Sequence, residues 1–193
     1  MSQRQRFFSV QDFASLSPLV RCAEGVWDEL KLVDLHWMQY AADHEKHLTG
    51  EWLTAMVYRR DSIFVRRKTK PRPNLTNAEQ RKAVAAIRRL PKQIPGLTRW
   101  FDSFKAINFV GISKMPPGSM LAPHRHFNPN SLVMHVALDV PPEGSGIMVE
   151  DETFIWSKPG QCVIFDDSLH HSAWNHGDGE RTILHVDFER KVG

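Results

Sequence analysis

The chain has 193 residues, 41% of them hydrophobic and 24% charged, with a formal net charge of +3 at pH 7. This is ordinary usage for a globular chain and excludes a collagen, a disordered polymer and a disulfide-dense mini-protein. No apolar run approaches the ~20 residues of a membrane-spanning helix, whereas a chain of this length buries about two thirds of its unfolded surface in one core.

The first residues, Met1 to Arg6, are polar and basic, and no apolar stretch or small-residue cleavage site follows them. Cys22 and Cys162 stand 140 positions apart and form no CxxC pair, so neither a disulfide framework nor a thiolate metal site is expected. Buried packing is the default for both. A reduced, cytoplasmic location follows as the expectation.

In chain order, Ser17-Pro18 reads as an N-cap followed by proline at the first helical position. Behind it Val20, Ala23, Trp27, Leu30, Val33, Trp37 and Tyr40 recur at spacings of three and four, which predicts one amphipathic helix of several turns. Arg59 to Pro73, with its prolines and charges, reads as a long loop. Thr76-Asn77-Ala78-Glu79 has capping-box spacing and opens a second helix ending near Pro91.

Charge is distributed unevenly. Between Arg59 and Lys92 there are twelve Lys or Arg against two acids, while the rest of the chain holds 13 basic and 20 acidic residues. A basic segment on an acidic body can steer an acidic partner, such as a carrier protein or a phosphorylated lipid. No helix-turn-helix, zinc-finger or RNA-binding signature accompanies it, so nucleic acid is the weaker reading.

After Ala106 the pattern changes to short segments rich in β-branched and aromatic residues: Ile107–Met115, Leu132–Val140, Gly146–Val149, Thr153–Trp156, Gln161–Phe165, His171–Trp174 and Thr182–Phe188. Turn residues at Pro141-Pro142-Glu143-Gly144, Lys158-Pro159-Gly160 and Asn175–Gly179 separate them. Seven short strands at close spacing predict a β-sandwich or barrel of jelly-roll type. The expected architecture is therefore mainly β with N-terminal helices. Residues 1–105 form a helical part packed on a core of residues 106–193, together one domain.

Seven of the ten histidines fall in this β-half: His124, His126, His135, His170, His171, His176 and His185. Imidazole is the commonest transition-metal ligand. Two clusters point to metal chemistry: Pro123-His124-Arg125-His126, read as a loop between strands, and His170-His171, which leads into a strand. A nitrogen donor set without thiolate suits Fe(II), Zn(II) or Cu(II). Arg181, ten residues past His171, has the planar fork that clamps a carboxylate when buried, and is a surface ion pair otherwise.

Ser113, Pro117-Gly118, Pro123-His124, His135, the run Phe165-Asp166-Asp167-Ser168-Leu169-His170-His171-Ser172-Ala173-Trp174, and Arg181 with Asp187 together resemble the aspartyl/asparaginyl β-hydroxylase family. Gly50-Glu51-Trp52 also resembles the helical region of that family. The resemblance implies a double-stranded β-helix, cupin-like core and a dioxygenase that uses Fe(II), 2-oxoglutarate and O2 to hydroxylate an sp3 carbon. It implies His124 and His171 as iron ligands. Arg181 and Ser113 would hold the distal carboxylate of 2-oxoglutarate, and His135 would contact the carboxylate nearer the metal.

Two departures from the family pattern matter. Where many members carry aspartate two residues after the first histidine, this chain has His126. That residue is either a third nitrogen ligand or turns away and leaves the place to water, and its bulk argues against a halogenase. Members acting on aspartyl residues carry an Arg-x-Arg pair just before the equivalent of His135, and here Ser131-Leu132-Val133 stand there.

The expected substrate is an amino acid or aminoacyl residue, free, in a peptide or carrier-bound. An alternative is an acyl chain or other natural product, since His124-Arg125 to Ser131-Leu132 also resembles the lipid A acyl-chain hydroxylases of the family. A third reading is a non-catalytic cupin-like metal-binding protein, which would have no need of Arg181.

Overall fold

The computed structural model describes residues 4–39, 48–59, 77–94, 106–126 and 128–191. The segment Ser131–Asp139 shows why the chain folds as it does. Eight of its nine residues are buried, with Leu132, Met134, Val136 and Leu138 on one face and Val133, His135 and Ala137 on the other. Successive side chains of a strand point to opposite faces, so a segment buried on both sides must lie between two packed layers.

That segment is β7 of the twelve strands among the described residues. The others are β1 (Phe7–Phe8), β2 (Trp37–Gln39), β3 (Leu48–Thr49), β4 (Leu53–Arg59), β5 (Ile107–Met115), β6 (Ser119–His124), β8 (Ser145–Val149), β9 (Glu152–Trp156), β10 (Cys162–Phe165), β11 (His171–Asn175) and β12 (Arg181–Glu189). They form two antiparallel sheets, ordered β1-β10-β7-β12-β5-β4-β2 and β3-β6-β11-β8-β9. Strands β5 to β12 supply a four-stranded block to each sheet, β10-β7-β12-β5 facing β6-β11-β8-β9, which is the jelly-roll or double-stranded β-helix arrangement. The fold is mainly β with a cupin-like core.

Two apolar layers hold it. Val133, Ala137, Ile147, Val149, Trp156 and Phe165 fill the space between the sheets. On the outer face of the first sheet, β5, β7 and β12 pack against Leu16, Leu19, Ala23, Val26, Trp27 and Leu30. Those residues belong to a 3-10 segment, Val10–Leu16, and to helix α1, Ser17–Leu30.

The first helix is shorter than its apolar spacing predicts, and it begins one residue earlier, with Leu16 at the cap and Ser17 inside the first turn. It stops at Leu30, where Leu32 N–H and Val33 N–H donate to Glu29 and Leu30 carbonyls three residues back, a tightening that ends helices. Trp37 instead lies on β2, paired with Ala55. Val33 and Trp37 still pack on the same core as α1, so burial keeps a helical spacing while the backbone turns away. Tyr40 lies outside the described residues.

The second helix, α2, spans Asn77–Gln93 and passes Pro91 by two residues. Thr76 of its expected capping box lies outside the described residues, as does 60–73 of the expected loop, whose first residue Arg59 closes β4. Residues before 106 supply four strands as well as helices. In the second half, Pro123-His124 belongs to β6 and not to a loop. Pro123 lies past Leu121 and Met120, the two residues with which β3 pairs, where a missing N–H is tolerated.

The turn that delivers β12 hangs on Asn175. This fully buried amide donates to the carbonyls of Met115 (2.7 Å) and Gly179 (2.8 Å), while its oxygen accepts from Gly177 N–H. Asn175→Ala leaves those carbonyls without their donor and should cost roughly 1–3 kcal/mol in urea unfolding. An unchanged midpoint would show that the turn holds itself.

Candidate functional site

His124, the last residue of β6, stands directly opposite His171, the first of β11, and their rings are 4.2 Å apart between centroids. In each, Nδ1 lies 3.0 Å from the carbonyl oxygen two residues earlier, Ala122 for His124 and Leu169 for His171. A carbonyl only accepts, so Nδ1 carries the proton and Nε2 keeps its lone pair for a metal. His126 follows just beyond β6, its N–H donating to Asp167 carbonyl at 2.9 Å. Its ring lies 5.7 Å from that of His124 and 5.9 Å from that of His171. One ligand atom from each of the three histidines falls within 4.8 Å of the others, so the set can hold a metal ion.

The turn ahead of His171 is built on Asp166, whose carboxylate is fully buried. It accepts from Ser168 hydroxyl (2.6 Å) and Ser168 N–H (3.1 Å) and pairs with Arg190 (2.6 Å) and Arg4 (3.1 Å). The next residue, Asp167, places Oδ2 3.8 Å from His126 Nδ1. A carboxylate beside the second nitrogen is the usual orienting group of a metal-bound histidine. His170 points away, with its N–H on the Glu150 carboxylate, and His176 stacks on Trp174. His44 and His47 lie outside the described residues.

The first sheet lines the opposite wall. In β12, Arg181, Ile183 and His185 share the interior face, opposite Met115, Ser113 and Gly111 of β5. Arg181 is only 2% exposed, and among the described residues no carboxylate lies within ion-pair distance of it. Its guanidinium lies 4.5 Å from the fully buried Trp156 ring, Nη1 touches Met115 sulfur at 2.9 Å, and Nε has no hydrogen-bond partner among the described residues. Burial pushes its pKa down to about 9. A buried cation without an anion is costly, and a carboxylate ligand would relieve it.

Ser113 is 3% exposed and its Oγ accepts from Trp52 indole N–H, which leaves the hydroxyl proton to donate elsewhere. Thr54, directly across from it on β4, is buried with no partner for its own hydroxyl among the described residues. His135 projects from β7 into the same interior, with Phe165 between it and His171 at ring separations of 5.0 and 5.5 Å. Burial first, then the neighbouring His185, Arg181 and His171, holds His135 well below the usual imidazole range. Its Nε2 meets His185 Nδ1 at 3.2 Å. Of Ser131-Leu132-Val133, Leu132 faces the outer core, while Val133 packs in the interior with Phe165.

Ser113, His124, His126, His135, His171 and Arg181, all singled out from the sequence, thus surround one interior. His185, Asp167 and Trp156 join them without having been assigned a role. For His185 the signal was present: it stands four residues after Arg181, on the same face of a strand.

Burial, followed by the carboxylates of Asp187 and Asp166, raises the Asp167 pKa to about 7. Folding therefore favours its protonated form. That contribution is complete below the unfolded value near 4 and is lost as pH rises through 7. In metal-free protein, Asp167→Asn should raise the thermal midpoint at pH 8, with the gain closing near pH 4. A gain independent of pH would contradict the assignment.

Comparison with known proteins agrees with this geometry. A family model described as Aspartyl/Asparaginyl beta-hydroxylase matches residues 25–191. An ornithine lipid ester-linked acyl 2-hydroxylase of Rhizobium tropici is 36% identical over 104 residues, 52% of this chain and 33% of that protein. An aspartyl/asparaginyl beta-hydroxylase of Homo sapiens is 39% identical over 78 residues, 40% of this chain and 10% of that protein. The matched region is thus a third or less of either relative's own length. A solved predicted oxalate decarboxylase of Thermotoga maritima aligns over 81% of this chain and 94% of its own, at 12% identity and a TM-score of 0.46. Because the family match runs from within α1 through strands β2 to β12 and takes in every residue of the interior just described, the chain belongs to the aspartyl/asparaginyl β-hydroxylase family.

Proposed function

We propose that this chain is an Fe(II)- and 2-oxoglutarate-dependent dioxygenase that hydroxylates an sp3 carbon. The observation that carries the reading is the buried Arg181, without a carboxylate partner among the described residues, in the same interior as three convergent imidazoles. The donors fit the groups required: nitrogen ligands without thiolate for iron, and an unopposed guanidinium for a dicarboxylate. His124 and His171 would hold the iron, with His126 as the third nitrogen donor. When bound, iron and 2-oxoglutarate supply the oxidising chemistry that activates O2 against a C–H bond.

The residues of the chain bind and orient. Arg181 takes the far carboxylate on its planar fork, which lies over Trp156, and Ser113 donates a hydroxyl hydrogen bond to the same group. His135 serves the carboxylate nearer the metal. The layer formed by Val133, Phe165, Val149 and Ile147 excludes water from the interior, which strengthens each of these charge-assisted bonds.

The substrate in this reading is an amino acid or aminoacyl residue, free, in a peptide or on a carrier, and the Arg59–Lys92 charge suits an acidic carrier. A second reading, an acyl chain, is supported by Val133. At the position where aspartyl-directed relatives carry arginine, the interior offers an apolar side chain 3% exposed. The acyl hydroxylase among the relatives is consistent with it.

The test is succinate release by iron-loaded protein with amino acids, peptides, acylated carriers and fatty-acyl lipids as substrates. His171→Ala should reduce substrate-dependent succinate by more than the ~10–100-fold that loss of an outer-shell partner costs. Full turnover in that variant would overturn the assignment.

A further inference from the structure

Two of the interior histidines form a pair that the iron and Arg181 do not by themselves require. His135 and His185 face each other across the β7–β12 register, with Nε2 of the first 3.2 Å from Nδ1 of the second. Their planes are inclined at 48° and their centroids lie 4.9 Å apart. The position of His185 is held by packing. Its β5 neighbour is Gly111, where a Cβ would come within 2.7 Å of the Phe109 ring, and Phe109 meets His185 edge-on at 5.5 Å.

Both imidazoles are neutral. Loss of solvent, with Arg181 close by, opposes protonation of each and lowers the His185 pKa to about 3. A neutral imidazole has one N–H and one lone pair. A single proton therefore lies in the ring-to-ring bond, and its location fixes both outer nitrogens. When His185 Nδ1 donates, His135 Nε2 is the acceptor and His135 Nδ1 must carry a proton. When His135 Nε2 donates, its Nδ1 is a bare lone pair.

The outer nitrogen of His135 is the functional end. Nδ1 is buried and has no hydrogen-bond partner among the described residues. Its ring lies 6.1 Å from the Trp156 ring on which Arg181 rests and 5.0 Å from the Phe165 ring that also meets His171, so it neighbours both the cation and the imidazole cluster. A carboxylate in that interior needs donors, and an Nδ1 lone pair would repel it.

We infer that His185 is a positioning residue that, by donating to His135 Nε2, sets His135 as an Nδ1–H donor to the carboxylate of the bound cosubstrate. The inference rests on the proposed 2-oxoglutarate reading. It assigns no contact between His185 and the cosubstrate: His185 acts through His135. An apolar residue at 185 would leave His135 free to place its proton on either nitrogen, so the interior would lose a fixed donor without losing its cation. Glutamine, whose amide N–H can donate to Nε2, should restore the arrangement.

The test uses the full chain loaded with Zn(II), a diamagnetic substitute for iron. Affinity for 2-oxoglutarate is measured by calorimetry, and the tautomer of His135 by long-range 1H–15N imidazole spectra. In wild type with 2-oxoglutarate, His135 should show Nδ1 protonated and Nε2 bare. His185→Leu should bind 2-oxoglutarate at least tenfold more weakly with unchanged zinc content, and His185→Gln should bind within about threefold of wild type. A merely structural His185 would shift the thermal midpoint and leave affinity and tautomer unchanged, which would overturn the inference. So would a liganded wild type with His135 protonated at Nε2, a measurement that needs no variant to fold. Zinc-loaded wild type that fails to bind 2-oxoglutarate at all would instead overturn the proposed function, and this inference with it.

Discussion

A guanidinium buried to 2% with no carboxylate beside it among the described residues is the constraint on which the rest of the interior depends. Arg181 is tolerated because its guanidinium lies over the Trp156 ring and one arm rests on Met115 sulfur, contacts that hold a cation without neutralising it. Stability alone would favour an apolar residue there. The free chain therefore retains a cost that only an anionic ligand relieves, a common signature of a site kept for binding.

The barrel geometry makes that cation useful. Opposed pairing of β6 and β11 brings His124 face to face with His171, and carbonyls two residues upstream fix both rings with Nε2 outward. The Asp166 turn, clamped by Arg4, Arg190 and Ser168, sets the start of β11. The Asn175 amide sets the start of β12. His124, His171 and Arg181 thus sit at strand ends whose positions are fixed by fully buried polar groups, the kind of support that holds a constellation of side chains in place.

Much of this was legible in the sequence where periodicity and burial agree. Segments such as Ile107–Met115 show their strand character in β-branched residues bounded by turn formers, and that segment was placed to the residue. Strand β6 was obscured because Gly118 and Pro123, loop residues by local chemistry, are accommodated at a turn and beyond a short edge pairing. The first helix was read too long because Val33 and Trp37 face the same core as α1, and spacing reports burial before it reports backbone. In the interior, residues carrying a family motif or a strong donor type stood out. His185 did not, because its significance lies in a cross-strand pairing with His135, and register is a tertiary property.

We propose that the imidazole cluster and Arg181 form one site for iron and a dicarboxylate. The most direct measurement is the visible metal-to-ligand charge-transfer absorption of anaerobic Fe(II)-loaded protein titrated with 2-oxoglutarate, in wild type and in Arg181→Met. A band in wild type that saturates, and that requires far higher 2-oxoglutarate in the variant, is the predicted result. Iron-loaded wild type without a band, or a variant that saturates at the same concentration, would contradict it.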